Sequence, residues 1–132
     1  MAKYWLVGAA WGGTEHRDEK FVQEGYWMLG WEADNPNSSA KTQYEKALNM
    51  EVGDRIAIKR MWGLEGDNSK IRILHIGIVK GVIKETNKVI CKVDWVAINL
   101  KREVDSHGCL QSVHGPYTEN DYDGWIKNIF YL

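Results

Sequence analysis

The sequence predicts an α+β domain with a curved or barrel-like sheet. Three observations favour this fold class: strand patterns outnumber helix patterns, the strands in the middle of the chain follow one another as hairpins, and both clear helix patterns come early. A chain of 132 residues with 44% hydrophobic and 27% charged residues has the size and composition of one soluble domain, which we expect to span residues 1–132.

The first strand and the first helix follow from an apolar run and from two helix-end signals. Tyr4 to Ala10 is an apolar run of strand length, which predicts a buried strand. Asp18 can cap a short helix and Gly25 can end it, with Phe21 and Val22 facing inward. The chain is therefore predicted to begin with a strand and a short helix.

A second helix and three strands are predicted in the middle of the chain. The helix covers residues 38–49, because its apolar residues recur on one face at offsets of three and four. Strands are predicted over residues 55–61, 71–83 and 89–96, with a hairpin turn between the last two. Two glycines inside the second of these strands predict bends or a bulge, Gly77 and Gly81.

The last third of the chain has weaker patterns. We expect one or two short strands within residues 97–116, a short helix over residues 120–127, and a final strand or tail over residues 129–132. No internal repeat and no linker divides the chain.

The stretch from Lys3 to Trp31 carries the clearest functional signal. Its strand stops at Trp11-Gly12-Gly13, and Trp27 and Trp31 follow within twenty residues. Glycines without a Cβ allow backbone to approach a ligand closely, and flanking indoles can form flat walls. The combination predicts a pocket for a planar group. The alternative is that these tryptophans belong to the core, since tryptophan is usually well buried.

The net charge of −1 hides an uneven distribution. Residues 54–102 carry 11 lysines and arginines against 5 aspartates and glutamates, whereas both flanking parts are acidic. A basic middle could meet a phosphate backbone although the total charge is close to zero. The alternative is that solvated lysines on strand edges discourage aggregation, namely Lys80, Lys84, Lys88 and Lys92.

Several classes of site have no support in the sequence. There is no dinucleotide, Walker, GxSxG or HExxH motif, and the four histidines have no metal-ligand spacing with Cys91 and Cys109, which we expect to be reduced thiols. Neither a metal nor a cofactor is expected. No apolar run approaches the roughly 20 residues that span a bilayer, so we expect a cytoplasmic protein without a membrane partner.

Asp94 is the most notable carboxylate, because it stands in an apolar strand directly before Trp95. A buried aspartate needs hydrogen-bond donors, which either backbone turns or a ligand could supply. The structural role is the favoured one.

Three sequence features together resemble a known family: the opening YWLVGAAWGG, the pair EGYW and VGDRIAIK, and the strand Lys92 to Trp95. Their order and spacing resemble the N-terminal EVE-like domains of McrB-type modification-dependent restriction systems. Those domains belong to the PUA-like superfamily, together with EVE, YTH and ASCH domains. The resemblance runs from about Lys3 to Phe130. It implies a small mixed β-barrel flanked by two or three short helices, with a pocket that accepts one extruded nucleobase.

The resemblance also implies roles for single residues. Gly25-Tyr26-Trp27 matches a glycine-x-tryptophan that supplies one wall of an aromatic cage in YTH relatives, so Trp27 is the first cage residue. The second wall there comes from a tryptophan between two central strands, the place that Trp62 holds here. Relatives read the base edge with polar groups just after the first strand, but this chain has Trp11-Gly12-Gly13-Thr14 and no asparagine. Trp11 thereby becomes a candidate wall, and Trp31 follows in the EVE manner or serves packing.

The expected base-binding pocket therefore contains Trp11, Gly12, Gly13, Trp27, Trp31, Trp62 and Asp94. Four cations around the mouth of the loop at residues 62–69 are candidate phosphate contacts, with solvated charges as the alternative: Lys59, Arg60, Lys70 and Arg72.

The leading hypothesis is a reader of DNA that flips a modified base into this pocket and acts as the specificity module of a restriction system in phage defence. The domain alone is then not an enzyme, and a nuclease subunit or a covalently linked NTPase domain would be its partner. The alternatives are a YTH-like reader of modified RNA, an ASCH-like enzyme acting on RNA or modified nucleosides through Lys20, Glu24 or Asp94, and a site for a small ligand or a protein.

Overall fold

A computed structural model of the protein describes residues 2–11, 15–29, 38–62, 70–85, 88–107 and 112–131. The strands are β1 (Tyr4–Gly8), β2 (Ala10–Trp11), β3 (Glu15–His16), β4 (Tyr26–Met28), β5 (Arg55–Trp62), β6 (Lys70–Glu85), β7 (Lys88–Ala97), β8 (Arg102–Asp105) and β9 (Val113–Tyr117). The helices are α1 (Asp18–Glu24), α2 (Ser38–Leu48) and α3 (Trp125–Phe130), the last preceded by a 3₁₀ turn, Asp121–Gly124.

Seven of these strands form one mixed sheet, and β2 and β3 pair separately. The strand order is β4-β7-β6-β5-β1-β9, with β8 paired to the first part of β6. Strands β1 and β5 are parallel, with Tyr4 opposite Arg55 and Gly8 opposite Lys59. The other pairs of the sheet are antiparallel. The predicted α+β class is confirmed.

The predicted barrel is not confirmed. The path of paired strands ends at β4 on one side and at β9 on the other, and within the described ranges these two strands do not pair with each other. The sheet is therefore open in the parts of the chain that the structure describes.

Helices cover the sheet on both faces. Side chains of α1 and α2, among them Phe21 and Tyr44, pack on one face together with Trp5 and Val7 of β1. Residues of α3 pack on the other face against Leu6 of β1. A strand that is covered on both faces reads as a continuous apolar run, which explains the opening sequence of the chain.

Several predicted elements and boundaries are confirmed. Helix α1 ends at Gly25, whose φ of 76° is in the left-handed region and whose N–H donates to the carbonyl of Phe21 at 2.9 Å. Helix α2 matches the second predicted helix. The register of β6 against β7 shifts next to Gly77 and next to Gly81, so both predicted bulges are present.

Two local predictions are wrong. The final strand over residues 129–132 does not form, because Ile129 and Phe130 continue α3, which buries Ile126 and Ile129 on one helical face. Asp18 does not cap α1: the N-cap is Arg17, and no side chain makes a cap hydrogen bond there. No helix in the described ranges has the length and apolar character required to cross a membrane.

Candidate functional site

The candidate site lies where the parallel strands β1 and β5 end. Gly8 is opposite Lys59 in the last pair of their register, so the two carboxyl ends meet at one edge of the sheet. Trp11 comes three residues after Gly8, and Trp62 comes three residues after Lys59. At about 3.3 Å per residue, each tryptophan backbone lies within roughly 10 Å of that pair. For both tryptophans the structure describes the backbone alone.

Trp27 reaches the same strand end from inside the fold. Strand β4 places Trp27 opposite Cys91 of β7, and its indole Nε1–H donates to the carbonyl of Gly8 at 2.9 Å. The side chain is fully buried in the cluster under α1 and α2. The expected role as one wall of an open slot is thus not what the structure has, because the ring exposes no surface and packs in the core.

Three of the predicted pocket residues lie outside the described residues: Gly12, Gly13 and Trp31. The strands on either side of the glycine pair are described, and there Trp11 pairs with Glu15 in a short antiparallel hairpin. The close-approach role of the glycines and the packing role of Trp31 stay predictions.

Lys59 is a buried cation rather than a surface contact. Its residue is 5% exposed, because β5 lies inside the sheet between β1 and β6. Its Nζ comes to 3.9 Å from the position that a Cβ on Gly8 would occupy. The predicted phosphate contact at Lys59 is wrong for this reason, and its ammonium instead lies beside the end of β1.

His114 of β9 is half-buried in the same region. Burial and the positive charges of Lys59 and Lys46 lower its pKa to about 4. At neutral pH the imidazole is therefore uncharged and can both donate and accept a hydrogen bond. An ammonium and a neutral imidazole are thus the polar groups that the structure brings to this end of the sheet.

The other three candidate phosphate contacts have carboxylate partners. Arg60 Nη2 lies 2.8 Å from Asp18 Oδ1, and Arg72 Nη2 lies 3.2 Å from Glu103 Oε1. Lys70 pairs with Asp105, and its hydrogen bond and charge lower the pKa of that carboxyl. A phosphate would have to compete with these carboxylates, which reduces what each cation can contribute to binding.

The sequence gave no local signal for a buried network around Asp18. His75 Nε2 donates to Asp18 Oδ2 at 3.1 Å, and the backbone N–H of Asn99 donates to His75 Nδ1 at 3.1 Å. Because Nδ1 accepts, the proton lies on Nε2, and both ring nitrogens are occupied. The network joins α1 to β6, and no nitrogen of His75 is left over for proton transfer. Its two side chains are 57 positions apart in sequence, so no spacing pattern could have predicted it.

Asp94 is not buried. It lies on β7 with its side chain exposed, because the strand alternates and turns Cys91 and Val93 inward. The pocket role predicted for Asp94 therefore has no support from its position. Lys20 and Glu24 are exposed as well, so none of the three residues weighed for catalysis occupies a desolvated site.

Within the described residues no group of three or more histidines, cysteines, aspartates or glutamates is placed to hold a metal ion. Cys91 is a free, buried thiol whose pKa is raised to about 12 by burial, and its Sγ lies 3.6 Å from Met50 Sδ. Such a thiol is not a nucleophile at neutral pH. Cys109 lies outside the described residues.

The sequence matches no protein-family model, and no curated protein matches it. The resemblance to EVE-like domains therefore stays a prediction.

Proposed function

We propose that the protein binds a modified DNA base, flipped out of the duplex, at the ends of β1 and β5. The observation that supports this is the convergence of three tryptophans on the Gly8–Lys59 pair. Trp11 and Trp62 each follow that pair by three residues, and the indole of Trp27 binds the carbonyl of Gly8.

The burial of Trp27 changes the roles within the proposed site. Trp27 supports the end of β1 from the core, and the two stacking walls are Trp11 and Trp62. Flipping a base costs a few kcal/mol, and stacking on an aromatic side chain returns about 1–3 kcal/mol per base. Two walls can therefore offset most of the cost of taking the base out of the duplex.

Polar groups have to complete the discrimination, because a methyl group on the base adds only about 1 kcal/mol of burial. Lys59 can donate to acceptor atoms on a base edge, and His114 can donate or accept. The surface cations Arg60, Lys70 and Arg72 contribute less, since each already has a carboxylate partner.

In this proposal the domain binds without turnover and acts in the cytoplasm as the recognition module of a restriction system. A nuclease subunit, or an NTPase domain in a longer parent chain, would supply cleavage. The absence of Lys20, Glu24 and Asp94 from any desolvated position favours a binding role over the enzymatic alternative.

A panel of otherwise identical duplexes tests the proposal. The duplexes carry 5-methylcytosine, 5-hydroxymethylcytosine, its glucosylated form, 4-methylcytosine, N6-methyladenine or no modification, with matched RNA strands alongside. We expect one modified duplex to bind at least tenfold more tightly than the unmodified one in a fluorescence-anisotropy titration. Equal affinity for every duplex would refute the proposal, and preference for a modified RNA would move it to RNA.

Variants of the proposed walls test the site itself. Trp11→Ala and Trp62→Ala should each weaken binding of the preferred duplex by about 5- to 150-fold, which corresponds to the loss of one stacking contact. Tyr131→Ala is the control, because Tyr131 is 63% exposed and lies at the other end of the strands. Unchanged binding in both tryptophan variants would remove the site assignment even if the duplex preference holds.

A further inference from the structure

A cleft of about 320 Å³ opens at the opposite end of β1 and β5. Tyr4 and Arg55, the first pair of their parallel register, lie in its wall, whereas the three tryptophans gather at the last pair. Its lining consists of Tyr4, Arg55, Ile76, Ile78, Val96, Glu119, Lys127, Phe130 and Tyr131. The cleft is therefore separate from the proposed base site.

The body of the cleft is apolar and held in place. Tyr4 and Phe130 meet edge to face with ring centroids 4.9 Å apart. Tyr131 is fixed by Arg102, whose guanidinium lies 4.5 Å above the ring and donates to the Tyr131 carbonyl at 2.9 Å. Val96 is 43% exposed beside them. A preformed apolar surface that remains open to solvent suits an apolar ligand.

The charged groups of the cleft are unbalanced towards positive. Arg55 donates to the carbonyl of Gly53 at 2.5 Å and makes no ion pair, and Lys127 has no carboxylate partner within the described part of the chain. Glu119 is the one carboxylate of the lining, and it is not bridged to either cation. Two free cations above an apolar floor, against one carboxylate, favour a ligand with an apolar body and a negative end.

We infer that this cleft binds a small organic anion with an aliphatic or aromatic body, such as a medium-chain carboxylate. The volume lies at the lower end of the range for ligand pockets, about 300–1,000 Å³, and so fits a small molecule. The apolar body lies against Ile76, Ile78 and Phe130, and the carboxylate lies between Arg55 and Lys127. The inference does not depend on the proposed base reading.

Isothermal titration with four probes tests the ligand class on the intact protein. Octanoate should bind more tightly than octanol, butyrate and octylamine, because only octanoate has both the long apolar body and the negative charge. Octanoate that binds no more tightly than octanol, or that does not bind up to millimolar concentration, would overturn the inference.

Three charge variants locate the anion, each checked for folding by circular dichroism. Lys127→Gln should weaken octanoate binding by about three- to tenfold, and Glu119→Gln should strengthen it by a similar factor, because these opposite charges share one cleft. Lys92→Gln is the matched control, since Lys92 is an exposed lysine outside the lining. Equal effects of Lys127→Gln and Lys92→Gln, or no gain in Glu119→Gln, would place the anion elsewhere and end the proposal.

Discussion

The indole of Trp27 has two sets of neighbours, and together they define its role. Its nitrogen binds the Gly8 carbonyl, and its ring lies among buried residues of β5, β7 and α1. A pattern such as glycine-x-tryptophan identifies the residue and its place in the chain, but it does not say which way the ring faces. Burial is decided by which strand lies behind β4, and that is a tertiary fact.

Trp27→Ala should therefore act on stability first. Removing a fully buried indole leaves a cavity, and we expect the free energy of unfolding to fall by about 3–5 kcal/mol in urea denaturation. Val52→Ala is the control at a 71% exposed position and should stay within about 0.5 kcal/mol of the parent. A loss under about 1 kcal/mol in Trp27→Ala would mean that the ring is not in the core. Because of this cost, weakened binding in Trp27→Ala would not by itself identify a stacking wall.

His114 gives a residue-scale prediction about pH. Its pKa of about 4 in the folded protein lies below the value of 6.5 of an unhindered histidine, so between these values the unfolded chain binds more protons than the folded one. The stability that the neutral ring contributes is complete above about pH 6.5 and is lost as the pH falls towards 4.

The measurement is the free energy of unfolding of the parent and of His114→Gln at pH 7 and pH 4.5. The parent should lose about 1–2 kcal/mol more than the variant, a figure reduced for the partial exposure of the ring. Parallel losses in the two proteins would show that His114 has no depressed pKa.

At the scale of elements, the crossing of β6 and β7 depends on one glycine. A Cβ on Gly77 would lie 2.3 Å from Val93 Cγ1 and 2.9 Å from the Asp94 carbonyl oxygen, distances that real Cβ atoms do not adopt. The same construction at Gly81 meets nothing within 4 Å. The two bulge glycines therefore differ in function although the sequence predicts both in the same way.

Gly77→Ala should lower the free energy of unfolding by about 1–3 kcal/mol, as overpacking does, whereas Gly81→Ala should be close to neutral. Thermal or urea unfolding of the two variants side by side makes the comparison. A neutral Gly77→Ala would mean that β7 can move away from β6 without cost.

Elements were predictable where their signal is local. Helix α1 with its glycine end, helix α2 and the run of strands from β5 to β7 were all predicted from periodicity and turn residues within one segment. Helix α3 was predicted to end early and to be followed by a strand, because four apolar residues at the end of a chain fit either period. Asp94 was placed inside because its neighbours are apolar, although the alternation of Val89, Cys91 and Val93 already assigned it to the outer face.

At the scale of the whole molecule, the predictions that failed are those that needed distant pairings. Lys59 is buried because β1 and β6 flank β5, and Arg60 is neutralised by Asp18, 42 positions away. Sheet closure depends on β4 and β9, whose relation no local pattern states. The gathering of Trp11, Trp27 and Trp62 at one strand end was expected as a group, but the parallel register that brings their backbones together was not.

That parallel register has a consequence for how the molecule assembles. Tyr4 and Arg55 are 51 positions apart, whereas Glu85 and Lys88 pair across a short turn. Closing a loop costs more entropy as it lengthens, about 0.6 kcal/mol for each doubling, so the pairing of β1 with β5 is among the costlier steps of folding. A molecule held between Trp11 and Trp62 would bridge the two strands and offset part of that entropy. Occupancy of this end of the sheet and cohesion of the parallel pair are then thermodynamically linked.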